Sequence, residues 1–170
     1  MRDRIKALLQ SLAIIVSAFV AVFMLTRAAS AEKTGTFSGS WVASGQRRAF
    51  DFVEGREVGT FRLTGHVNLQ DEIGAEKDYW AECVGLSDSA AASTARCVWR
   101  SMEGEKAYIV LTGQPLEERV KVSGEFVGGS GSLKGIEGTF TFTWSSVFLN
   151  KTQGIFTGQT KDLKGFYKIP

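Results

Sequence analysis

Residues 58–70, VGTFRLTGHVNLQ, alternate between apolar and polar side chains along almost their whole length. Phe61, Leu63, Val67 and Leu69 fall on one side, and Thr60, Arg62, Thr64, His66, Asn68 and Gln70 on the other. A period of two describes a half-buried β-strand, because successive strand side chains point to opposite faces. Gly65 interrupts the apolar side, which predicts a bulge or bend there. The rhythm recurs in segments 36–42, 49–53, 79–86, 96–102, 107–112, 120–127, 139–144, 155–160 and 166–169, separated by glycine and polar turns. About nine short strands with regular turns predict an all-β antiparallel fold, a barrel or a sandwich.

Residues 1–31 follow another pattern. Arg2, Arg4 and Lys6 precede an apolar run, 7–25, interrupted only by Gln10, Ser11 and Ser17. Ala29, Ser30 and Ala31 then supply the small residues a signal peptidase reads. The segment reads as a secretory signal peptide cleaved after Ala31, leaving 32–170 as one domain. The alternative is a retained anchor helix, since the run of about 19 residues is near the lower limit for spanning a bilayer and Arg27 supplies a flanking charge. Either way the domain is exported, to a bacterial periplasm or beyond. Contact with a membrane is expected only through this N-terminal segment, which when retained holds the domain at the inner membrane facing the periplasm.

The leader also distorts the charge. The chain has 20 Lys/Arg and 18 Asp/Glu, but Arg2, Arg4, Lys6, Arg27 and Asp3 belong to the leader, leaving 16 basic against 17 acidic residues in 32–170. That domain contains no basic block, so nucleic acid is not an expected partner.

Cys83 and Cys97 are the only cysteines. In an oxidising compartment pairing is favoured. A metal site would need more ligands, and the single histidine is His66, so no metal is expected. Segments 79–86 and 96–102 flank a polar, alanine-rich loop. An antiparallel hairpin centred near residue 90 sets Cys83 opposite Cys97 and Ala81 opposite Trp99, a separation a disulfide can bridge. Two free buried thiols are the alternative.

The stretch 128–144, GGSGSLKGIEGTFTFTW, opens like a phosphate-binding loop. A P-loop needs GxxxxGK[ST], yet Lys134 precedes Gly135 and no Lys-Ser or Lys-Thr pair follows. A dinucleotide loop needs GxGxxG at the start of a helix. Here the third glycine comes one position late, and residues 139–144 are β-branched and aromatic. No nucleotide or other cofactor is expected. The glycines instead mark a compact connection between two strands, with Leu133 and Ile136 spaced to tuck inward.

GGSGSLKGIEGTFTF resembles the GGxGxφxGxxGxφxφ signature (φ apolar or aromatic) of the allene oxide cyclase and dirigent β-barrel superfamily, and the strand before it, VKVSGEFVGGSG, is similar in form. The resemblance covers residues 120–144. It implies an eight-stranded antiparallel barrel with an apolar interior, often open at one end to a hydrophobic small molecule, and a homo-oligomer of unspecified number. Plant cyclases of this kind isomerise a fatty-acid epoxide, and dirigent proteins steer the coupling of phenolic radicals. A few polar residues in the cavity, commonly carboxylates, do this work. The cyclases take a Glu and an Asn from their first strands, whereas segment 36–42 contains neither.

The candidate site residues are Glu82, Arg62 and His66. Glu82 would make a general acid or base if it pointed inward, because desolvation raises a carboxyl pKa. It shares a face with Trp80 and Val84, opposite Tyr79, Ala81 and Cys83, so its side is open. Arg62 and His66 lie on the polar face of their strand, lining a polar lumen or facing water. Trp41, Trp80, Trp99 and Trp144 suit a filled core as well as a hollow one. Two functions follow: a binding module for an apolar small molecule or a protein partner docked at its rim, or an isomerase or cyclase acting on a lipid-like or polyketide-like substrate. With a retained leader, a membrane-tethered accessory subunit is the third.

Overall fold

The computed structural model describes residues 32–116, 119–150 and 152–170. The expected leader and its expected cleavage after Ala31 fall outside them. Eight strands run in sequence: β1 (Lys33–Val53), β2 (Arg56–Asp71), β3 (Glu76–Asp88), β4 (Ser93–Ser101), β5 (Lys106–Leu116), β6 (Arg119–Gly129), β7 (Glu137–Asn150) and β8 (Ile155–Ile169). Each pairs antiparallel with its sequence neighbours, and β8 returns to β1, so the sheet closes into a barrel.

The ten alternating segments make eight strands because two apparent breaks are continuous. Segments 36–42 and 49–53 both belong to β1, and 155–160 and 166–169 both belong to β8. The polar stretch between the first two stays extended because residues 43–46 are paired on both sides, with 62–65 of β2 and 155–158 of β8. Gly65 forms no bulge. It sits in unbroken register opposite Ala43 and Ala81, and a Cβ there would run into the Val42 carbonyl and the Ala43 side chain. Close approach of β1 and β2 is what requires glycine.

Register shifts occur elsewhere, one of them in β8 where it pairs with β1. Leu163 opposes Gly39 and Thr160 opposes Trp41, so β8 carries one residue more than β1 across that step. The bulge lets Thr160 and Leu163 both face inward, at 3% and 1% exposure. Asp162 patches the interrupted ladder, accepting hydrogen bonds from the Thr143 N–H at 2.8 Å and the Thr160 hydroxyl at 2.6 Å. Burial opposes its charge, yet these donors hold the Asp162 carboxyl below its ordinary range.

The β3–β4 hairpin has the expected register, with Cys83 opposite Cys97 and Ala81 opposite Trp99. The two cysteines form a disulfide with Cα atoms 4.1 Å apart. The glycine-rich loop makes one 3-10 turn, Gly131–Leu133, with Gly131 and Gly135 at positive φ of 64° and 76°. A strand, not a helix, follows. Leu133 and Ile136 are buried, and with Phe37, Tyr79 and Phe126 they close the end of the barrel at which β1 begins. Trp41, Val67, Trp99, Ile109, Phe140 and Leu163 fill the middle.

Candidate functional site

The other end of the barrel is open. A cavity of about 520 Å³ enters there, between the end of β1, the β3–β4 connection and the ends of β5 and β7. This lies within the roughly 300–1,000 Å³ typical of small-molecule sites. Its depth is apolar: Trp41, Leu63, Leu111, Val122, Phe142 and Trp144 line it. Polar groups gather toward the mouth, among them Arg47, Ser87, Asp88, Ser93, Thr94 and Arg119. One barrel is therefore filled at one end and hollow at the other, because the glycine loop supplies a plug at one end only.

Two ion pairs stiffen the mouth. The Arg47 guanidinium donates to the Ser87 hydroxyl at 3.0 Å and to Glu57 at 2.8 Å. Arg56 donates to both carboxylate oxygens of Asp88, at 2.9 and 2.5 Å. The Arg56 bonds first, and the Ala90 N–H second, hold the Asp88 carboxyl below its ordinary value of 3.8. Asp88 is thus an ionised, weakly basic group, poorly suited to proton transfer at neutral pH. Tyr79 is the opposite case. Burial first, and the nearby Glu105 second, push its phenol up to about 12, so it stays neutral, and it sits at the closed end.

A pH dependence follows. The folded pKa of Asp88 lies below its unfolded one, so the contact contributes fully above the ordinary carboxylate range and is lost as pH falls through the lowered value. Thermal unfolding should shift to lower temperature as pH drops below about 4. Asp88→Asn should make that decline shallower; an unchanged slope would show that the pair contributes nothing.

None of the three candidate residues lines this cavity. Glu82 points outward with Trp80 and Val84, because Tyr79, Ala81 and Cys83 of the same strand point in. Arg62 and His66 are on the outer face of β2, and His66 Nε2 lies 3.1 Å from Asp78. Of the four tryptophans, Trp80 also faces out, at 52% exposure. The residues that do reach the mouth, Arg47 and Asp88, were missed. Arg47 was legible: alternation carried on from Trp41 through Ala43 and Gly45 arrives at it on the inner side. Among the described residues no three His, Cys, Asp or Glu side chains are grouped to hold a metal ion.

No family model matches the sequence, and no curated protein matches it. Among solved structures, that of the pterocarpan synthase dirigent protein aligns with 82% of this chain and 86% of its own, at 12% identity and a TM-score of 0.44. The closed eight-stranded antiparallel barrel is established by its strand order, and it is the architecture that the signature in residues 120–144 implied.

Proposed function

We propose that this domain is an exported binding module that takes an apolar small molecule into the open end of its barrel. The observation that carries this reading is the 520 Å³ apolar cavity in a barrel whose other end is packed solid. The ligand's apolar body would lie against Trp41, Phe142 and Trp144, and its polar end would meet Arg47 and the serines of the mouth. Binding is favoured over isomerase or cyclase chemistry because the carboxylate at the mouth, Asp88, is committed to Arg56 and held ionised. Export agrees with the disulfide, which persists in oxidising compartments.

The test has two parts. Protein purified from its own cell envelope is weighed by native mass spectrometry and extracted for bound molecules. In parallel, the ligand-free protein is titrated with 1-anilinonaphthalene-8-sulfonate. A stoichiometric lipophilic molecule and saturable probe binding are expected. Val120→Trp, at the half-buried mouth position, should lower probe affinity by about tenfold or more while leaving cooperative unfolding intact. An empty protein that also fails to bind the probe would overturn the reading. Extraction of a rearranged substrate–product pair would replace it with the isomerase one.

A further inference from the structure

The outer wall formed by β2 to β5 carries a pattern the cavity does not explain. The strand register lays its outward residues out in rows. In one row His66, Trp80, Arg100 and Lys106 stand side by side; in the next, Thr64, Glu82, Val98 and Tyr108. In the third, Arg62, Val84, Arg96 and Val110 follow. Leu86 continues the apolar line of β3 beyond them. Val84 is thus bracketed by two arginines, and Trp80 by a histidine and an arginine. Trp80, Val84, Leu86 and Tyr108 are 52%, 62%, 58% and 40% exposed.

The charge on this wall is lopsided. Arg62, Arg96, Arg100 and Lys106 face a single carboxylate within the rows, Glu82. Among the described residues no carboxylate lies within ion-pairing distance of Arg62, Arg96 or Arg100. Arg96 makes only local bonds, to the Thr94 hydroxyl and the Ala95 carbonyl. With strands about 4.8 Å apart and residues about 3.3 Å apart along them, the wall spans roughly 15 by 20 Å, the core of an interface.

We propose that this wall is a docking face for a protein partner with an acidic surface. The mixture of Trp, Tyr and Arg, with little Lys or Glu, is what the buried centres of protein interfaces share. The unpaired arginines set the partner's sign. A second copy applying the same face would oppose arginine to arginine, so self-association through it is disfavoured. Val84, Leu86, Val98 and Val110 offer nothing to a polysaccharide but would seat apolar side chains of a protein. The site is independent of the cavity, and either can fail without the other.

The experiment places a photoreactive benzoylphenylalanine at Val98, in the centre of the wall, and at Thr141, on the opposite side of the barrel, in the full chain in its own cells. A protein captured from Val98 but not from Thr141 is identified by mass spectrometry, purified and titrated with the wild type. Affinity should fall steeply with salt. Arg62→Glu and Arg100→Glu should each weaken it by about tenfold or more, and Lys164→Glu, outside the wall, should leave it unchanged. Trp80→Ala should weaken it as well, at unchanged melting temperature. The proposal is overturned if Val98 and Thr141 capture the same proteins or none. It is equally overturned if charge reversal leaves the affinity intact, or if the wall binds vesicles of anionic phospholipid and no protein.

Discussion

Trp99→Ala is expected to lower the stability of the barrel by about 3–5 kcal/mol, the cost of truncating a fully buried tryptophan to alanine. Trp99 is 1% exposed and stands where the aromatic groups of four other strands meet. Its ring centroid lies 6.2 Å from Trp41 of β1, 6.3 Å from Tyr79 of β3, 6.0 Å from Phe126 of β6 and 5.1 Å from Phe140 of β7. Its register partners are both small, Ala81 on β3 and Ala107 on β5. The sheet makes room for the indole by keeping its neighbours to a methyl group. When the indole is removed, those neighbours cannot grow inward and the surrounding rings cannot rotate freely into the gap, so most of the void persists. Trp80→Ala, one strand away on the exposed wall, should stay within about 0.5 kcal/mol. Urea unfolding followed by near-ultraviolet circular dichroism separates the two. Equal losses would mean that the barrel is not organised around Trp99. The same substitution should also loosen Trp41, which forms the floor of the cavity, and so weaken ligand binding from below without touching the mouth.

That contrast between two tryptophans shows how far the fold could be read in advance. Period-two alternation located nearly every strand, because each buries one face only. The β3–β4 register followed from the cysteines, and the glycine loop was recognisable as a connection because a strand-forming run follows it. Alternation failed where both faces of a strand are apolar. In YWAECV, Tyr79, Ala81 and Cys83 are no more apolar than Trp80 and Val84, so the inner side was undecidable and Glu82 could be placed in the lumen. Only closure of the sheet decides it. The polar stretch 43–48 looked like a turn, since nothing local says that two neighbouring strands will hold it extended. Arg47 was passed over for that reason, although the alternation from Trp41 through Ala43 and Gly45 leads to it once the strand is carried on. The cavity itself was illegible: aromatic residues line a hollow as readily as they fill a core. What separates the two ends is a tertiary fact, the plug of Leu133 and Ile136 at one and the small residues Ala91, Ser93 and Gly113 at the other.

The double substitution Cys83→Ala, Cys97→Ala is expected to cost about 3 kcal/mol, the loop-entropy value for a bridge closing a loop of about 15 residues. The sequence separation is 14, and both cysteines are buried, at 1% and 3% exposure. Alanine isolates the effect of the bridge, because serine would add a hydroxyl to an apolar interior. The bridge joins residues that the hairpin register already sets opposite each other, so the folded barrel gains little from it. The gain lies in the unfolded chain, which the bridge keeps from expanding. Urea unfolding should therefore show a lower midpoint and a steeper denaturant dependence for the variant, as its unfolded state exposes more surface. Wild type in reductant should coincide with the variant, which tests the bridge and not the substituted side chains. Domains of this size are stable by only about 5–15 kcal/mol, so a loss of this magnitude is a sizeable share of the total, and a bridge of that worth is consistent with an oxidising compartment. If reduced wild type keeps its full stability, the bridge is incidental to folding, and that argument for export goes with it.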